Sequence, residues 1–115
     1  MFTYTEAKGL LKEFGRFEVN SDAWDDYTMF YITTEDGEEY MVGTDNAADI
    51  AWDEYIESYI DDCILPDLDE ALACYFDRES FKRDASYDGR GHSLSSYDGS
   101  ETDIQGTDFV AFRIG

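Results

Sequence analysis

Apolar residues recur at helical spacing in some parts of this chain and crowd into β-rich runs in others. Tyr4, Ala7, Leu10, Leu11 and Phe14 follow the pair Thr3 and Glu6 and precede Gly15. That order predicts a capping box and a short amphipathic helix over residues 4–14. Residues 16–26 read as a loop or irregular strand, with Trp24 as an anchor between Asp22 and Asp25. The runs YTMFYITT and EYMVGT flank an acidic Asp36-Gly37 turn, which predicts a β-hairpin over residues 27–44.

The next stretch, from Thr44 to Asp77, reads as two helices broken near Pro66. The first, capped by Asp45 or Asn46, carries Ala48, Ala51, Trp52, Tyr55, Ile56, Tyr59 and Ile60 as a buried stripe. Asp49, Asp53, Glu57 and Asp61 recur every four residues on the opposite face and stack in one ridge, which Glu54 and Asp62 widen. After Pro66, Asp67 is placed to cap a helix bearing Leu68, Leu72, Tyr75 and Phe76, and Asp77 to cap a further short one. There Arg78, Lys82 and Arg83 are placed to pair with nearby acids. From Ser86 onward Gly, Ser, Asp and Tyr dominate, Asp88-Gly89 and Asp98-Gly99 mark turns, and FVAFRI reads as a strand covered on both faces.

These elements predict an α+β single domain with a β-hairpin or antiparallel sheet and an acidic helix pair. Its parts are a helix (1–15), the hairpin (27–44), an acidic helical region (45–84), and a Gly/Ser turn region ending in a strand (85–115). A length of 115 residues suits one core, and 43% hydrophobic with 17% aromatic residues argues against an acidic disordered tail.

Charge changes the picture most. The net charge is −20, and residues 17–77 hold 19 acids with no Lys or Arg. Adaptation to high salt would spread acid over the whole surface, whereas here it is regional. Such a field repels nucleic acid and anionic membrane and favours basic clefts. Like charges four apart destabilise a helix by about 0.2–0.5 kcal/mol a pair, yet no lysine interrupts the ridge. Its carboxylates fall roughly every 6 Å, and with the flanking acids the spacing approaches that of phosphates on a DNA strand, about 3.4 Å. The ridge is therefore expected either to be a solvated face or to present charge as a nucleic-acid backbone does.

Candidate chemistry is sparse. Cys63 and Cys74 lack metal-ligand or redox spacing and read as buried reduced thiols. His92, with Ser93, Ser95, Ser96 and Asp98 close by, forms a Ser/His/Asp set on paper, but a glycine-rich loop gives such a set little rigidity, and turns with local side-chain hydrogen bonds are expected instead. Asp88-Gly-Arg-Gly offers a weak anion nest. The stretch from Asp98 to Asp103 lacks the ligand order of a calcium loop. No catalytic residue, cofactor or metal is assigned. The N-terminus lacks the apolar core of a signal peptide and the longest apolar run, 71–76, is too short to span a membrane, so a cytoplasmic location is expected.

Glu54-Tyr55-Ile56-Glu57, Leu65-Pro66, Leu72, Tyr75-Phe76-Asp77, Phe81 and Arg83-Asp84 together resemble the C-terminal part of the ArdA antirestriction proteins. The likeness spans about residues 47–84, while the tail around Gly89 to Gly99 resembles small phage proteins. ArdA proteins are elongated acidic dimers that mimic DNA and block type I restriction-modification enzymes. The resemblance implies a matching acidic surface of Glu54, Glu57, Asp61, Asp62, Asp67, Asp69 and Glu70, with Tyr75, Phe76 and Phe81 in packing roles, and leaves a homodimer open.

The expected function is thus a non-enzymatic DNA mimic that occupies the DNA-binding groove of a basic defence enzyme in the host cytoplasm. Its partner-binding surface would be Asp49, Asp53, Glu54, Glu57, Asp61, Asp62, Asp67, Asp69 and Glu70. It would bind neither nucleic acid nor membrane directly. Two other readings stand beside it: an acidic accessory protein that docks on a basic partner without DNA mimicry, including an anti-CRISPR or polymerase inhibitor, and a hydrolase using His92 and Ser93 or Ser95.

Overall fold

The hairpin expected around Asp36-Gly37 is present in the computed structural model, which describes residues 2–20 and 25–115. Trp24 lies outside the described residues. Strands β2 (Phe30–Thr34) and β3 (Glu39–Thr44) pair antiparallel, with Phe30 opposite Val42 and Ile32 opposite Tyr40. Gly37 takes φ 85° in the turn, a conformation that glycine adopts without steric penalty. β1 (Phe17–Val19) adds outside β2, β5 (Phe109–Arg113) pairs with β3, and β4 (Glu101–Asp103) closes the far edge. The result is a five-stranded antiparallel sheet in the order β1-β2-β3-β5-β4.

Alternation along the strands sorts two cores. Phe30, Ile32, Val42, Phe109 and Ala111 meet Leu10 of helix α1 (Tyr4–Phe14) and Ile104 on one face. The rings of Phe30 and Phe109 meet edge-on, centroids 5.5 Å apart, a favoured aromatic geometry. On the other face Val110 and Phe112 meet Ala47 and Ala48 of α2 (Asp45–Tyr59) and Leu94 of α5 (Arg90–Leu94). β5 is apolar on both sides because helices cover both sides of it. The Thr3–Glu6 capping box of α1 forms as the sequence predicts, and Gly15 follows its last residue. The chain is therefore α+β.

The acidic helix pair is not found. α2 is capped by Thr44, whose hydroxyl accepts from the Ala47 N–H at 3.1 Å, while Asp45 and Asn46 sit within the helix. It runs into a π turn (Ile60–Ile64) and a 3₁₀ turn (Leu65–Asp67), after which Leu68 is extended. Asp69, not Asp67, caps the next helix, α3 (Glu70–Ala73), which is a single turn. The physical reason is missing cover: short helices depend on a buried face, and none of residues 61–90 is buried. Cys63 and Cys74 are free, as expected, but exposed rather than buried, for the same reason. α4 (Arg78–Ser86) does start at Asp77, whose carboxylate accepts from the Ser80 N–H.

The molecule measures 54 × 26 × 24 Å. Its radius of gyration of 16.5 Å exceeds the roughly 13 Å of a compact chain this long. Among the described residues no helix is long and apolar enough to cross a membrane.

Candidate interaction surface

Asp49, Asp53 and Glu57 on α2 and Asp61 on the π turn do share one face, and three cations from the C-terminal half are docked on them. Arg78 of α4 bridges Glu57 and Asp61, and Lys82, one turn on, bridges Asp53 and Glu57. Arg90, at the start of α5, holds Asp45 at 2.8 Å, Asp49 at 2.9 Å and both oxygens of Glu101 at 2.9 Å. It also donates to the Asp45 carbonyl at 3.1 Å. Arg90 thereby ties the first turn of α2 to α5 and the edge strand β4. Gly91 makes this approach feasible, since a Cβ there would lie 2.6 Å from the Gly99 carbonyl oxygen.

The shifts in acidity follow these contacts. Glu57 is held below the usual carboxylate range, first by its hydrogen bond from Lys82. Lys82 is raised chiefly by Glu57, Arg78 chiefly by Asp61, and Arg90 chiefly by Glu101. The like-charge repulsion along the ridge is thus relieved from within the chain, by residues far away in sequence. Among the described residues Arg83 is in no such bridge and donates to the Ser80 hydroxyl.

The other acids singled out from sequence remain open. Glu54, Asp62, Asp67, Asp69 and Glu70 are exposed, and among the described residues none of them is in an ion pair. Asp69 has one oxygen engaged by the Ala71 N–H. Leu72 and Tyr75, 57% and 86% exposed, stand on the same segment as most of them. At the hairpin, Glu35 and Asp36 are likewise exposed, whereas Glu38 meets Arg113. The structure therefore divides the nine acids: four are engaged by the chain's own cations and five face solvent.

Sequence reading missed a cleft of about 260 Å³ where α2 meets α4 and α5. Tyr55, Tyr59, Phe81, Asp88, His92 and Ser93 line it. Tyr55 and Tyr59, expected in the buried stripe, are 46% and 43% exposed because they line this open cleft rather than a closed core. Tyr59 and Phe81 stack with centroids 6.1 Å apart and planes 15° from parallel. The signal available was two tyrosines four residues apart, whose hydroxyls favour a wet edge over a dry core.

Among the described residues no hydrogen bond joins His92 to Ser95 and Asp98 as a Ser/His/Asp set. Ser95 is buried, its hydroxyl 2.7 Å from the Arg113 carbonyl and 3.0 Å from Asp98. Asp98 accepts from the Ser100 N–H and hydroxyl, the local turn bonding expected from the sequence, and its carboxyl is held low mainly by Ser100. In the Asp88-Gly-Arg-Gly segment the Arg90 side chain is turned to the carboxylates of Asp45, Asp49 and Glu101. Among the described residues no cluster of His, Cys, Asp or Glu is placed to hold a metal ion.

Comparison with protein-family models, with curated proteins and with solved structures gave no match.

Proposed function

We propose that this protein is an acidic inhibitor that occupies the DNA-binding groove of a basic defence enzyme in the cytoplasm, with type I restriction-modification as the first target to test. The observation that carries the reading is charge per length. A net −20 over a 54 Å body is about one charge per 2.7 Å, between a single strand at about 3.4 Å and a duplex at about 1.7 Å of axis. Because the Asp49, Asp53, Glu57 and Asp61 ridge is occupied by internal cations, the face offered to the partner is the open set Glu54, Asp62, Asp67, Asp69 and Glu70. Charge supplies attraction and on-rate, and the exposed Leu72 and Tyr75 supply apolar contact. No bond is made or broken.

The test is DNA cleavage by a purified type I enzyme with rising amounts of this protein. Stoichiometric inhibition, relieved by excess duplex and weakened by salt, is expected. Replacing Asp62, Asp67, Asp69 and Glu70 together by Asn or Gln should weaken it far more than any single change. Full potency in that quadruple variant would overturn the assignment of the face. A second reading has its own support: capture of the ridge by Arg78, Lys82 and Arg90 leaves a shorter acidic tip, which suits an accessory protein docking beside nucleic acid. A stable ternary complex of enzyme, DNA and this protein would establish that reading instead.

A further inference from the structure

We infer that the cleft between α2, α4 and α5 is a socket for an arginine side chain of the partner, a step that rests on the proposed function by naming the group the acidic surface takes in. The walls are aromatic. Tyr59 and Phe81 lie nearly parallel, and Tyr55, about half exposed, stands one helical turn before Tyr59. Ring faces of this kind attract cations, the more so when the cation is partly desolvated. Asp88 supplies a carboxylate at the edge, and among the described residues it is in no ion pair.

Among the described residues no Lys or Arg lines this cleft. Arg78 and Lys82 are held by Asp53, Glu57 and Asp61, and Arg90 by Asp45, Asp49 and Glu101. The field of a −20 molecule disfavours an anionic occupant such as a nucleotide or phosphopeptide. A neutral aromatic side chain would use the rings and waste Asp88. Arginine uses both, since its flat guanidinium stacks on a ring while its N–H fork meets a carboxylate; lysine presents a compact, strongly hydrated charge and does this less well.

The test is aromatic ¹H–¹³C NMR of the full chain at physiological salt, titrated with Gly-Gly-Arg-Gly-Gly and with the same peptide carrying citrulline, lysine or tryptophan. Saturable shifts of the Tyr55, Tyr59 and Phe81 rings are expected with arginine, with citrulline, its neutral isostere, several-fold weaker. Asp88→Asn should weaken arginine binding by about two- to fivefold, the usual worth of a half-exposed ion pair, and leave citrulline unchanged. Tyr55→Ser should cost a similar factor. Unchanged Phe30, Phe109 and Phe112 resonances report that each variant is folded. Equal binding of arginine and citrulline, preference for tryptophan, or shifts confined to exposed rings outside the cleft such as Tyr4 and Tyr27 would overturn the socket. Enzyme inhibition that survives Asp88→Asn and Tyr55→Ser undiminished would overturn the socket alone, and arginine binding without inhibition would overturn the proposed function alone.

Discussion

Around the sheet, α1, α2, α5 and every strand but the edge strand β4 contribute side chains to a core; segment 61–90 contributes none that is buried. It is held instead by the bridges of Arg78 and Lys82, by cap hydrogen bonds and by the rings of Tyr59, Phe76 and Phe81. Burial of apolar area is strong and is not screened by salt, whereas exposed ion pairs are weak and screened. The two parts therefore answer to different conditions. The sheet region is expected to outlast segment 61–90, whose lack of buried side chains is the mark of the low-stability end of a molecule, where partner-binding segments are commonly found.

Damage to the sheet region should cost most. Phe30→Ala removes a fully buried ring shared by α1, β2 and β5 and should cost about 3–5 kcal/mol in urea denaturation. Gly91→Ala comes next. Its Cβ would run into the backbone at Gly99 and Ser100, so a loss of about 1–3 kcal/mol is expected, and Arg90 should loosen with it. Arg90→Met should cost about 1–2 kcal/mol, discounted because Asp45 and Asp49 are exposed to screening water; the loss should shrink in high salt.

Acid separates the two regions without any mutation. Glu57 and Asp77 have folded-state values below their usual range, so their contribution is fully present above that range and is lost as pH falls through the folded values. Hydrogen exchange should show α4 losing protection as pH drops below about 4, while β2, β3 and β5 remain protected. Protection lost everywhere at once would erase the distinction between the two regions. The least change in stability is expected for Leu72→Ser, within about 0.5 kcal/mol, because no core loses a member; that variant should show itself in partner binding instead.

Where pattern and local chemistry agreed, the sequence could be read closely. Thr3 with Glu6, the Asp36-Gly37 turn, Asp77 as a cap and the two-sided strand at Phe109 to Arg113 each depend on residues a few positions apart, and all appear. Trp52 marks the boundary of that reading. Its ring packs against the second core, as the stripe implied, yet its indole N–H is buried with no acceptor among the described residues. Where such a group finds its acceptor depends on tertiary packing and cannot be foreseen from spacing.

The candidate site was legible in its parts and not in its partners. The i to i+4 ridge is a property of one helix, so spacing along the chain was enough to establish that Asp49, Asp53, Glu57 and Asp61 would share a face, and composition that residues 17–77 would be uniformly acidic. Whether that face would meet water, a partner or the chain itself depended on where Arg78, Lys82 and Arg90 come to rest. The reach from acid to cation, 45 positions between Asp45 and Arg90, is set by the path of the sheet and the close approach at Gly91. Three-dimensional packing alone settled it, because a cation's position in space depends on how the backbone packs, while its sequence number says only that it is available.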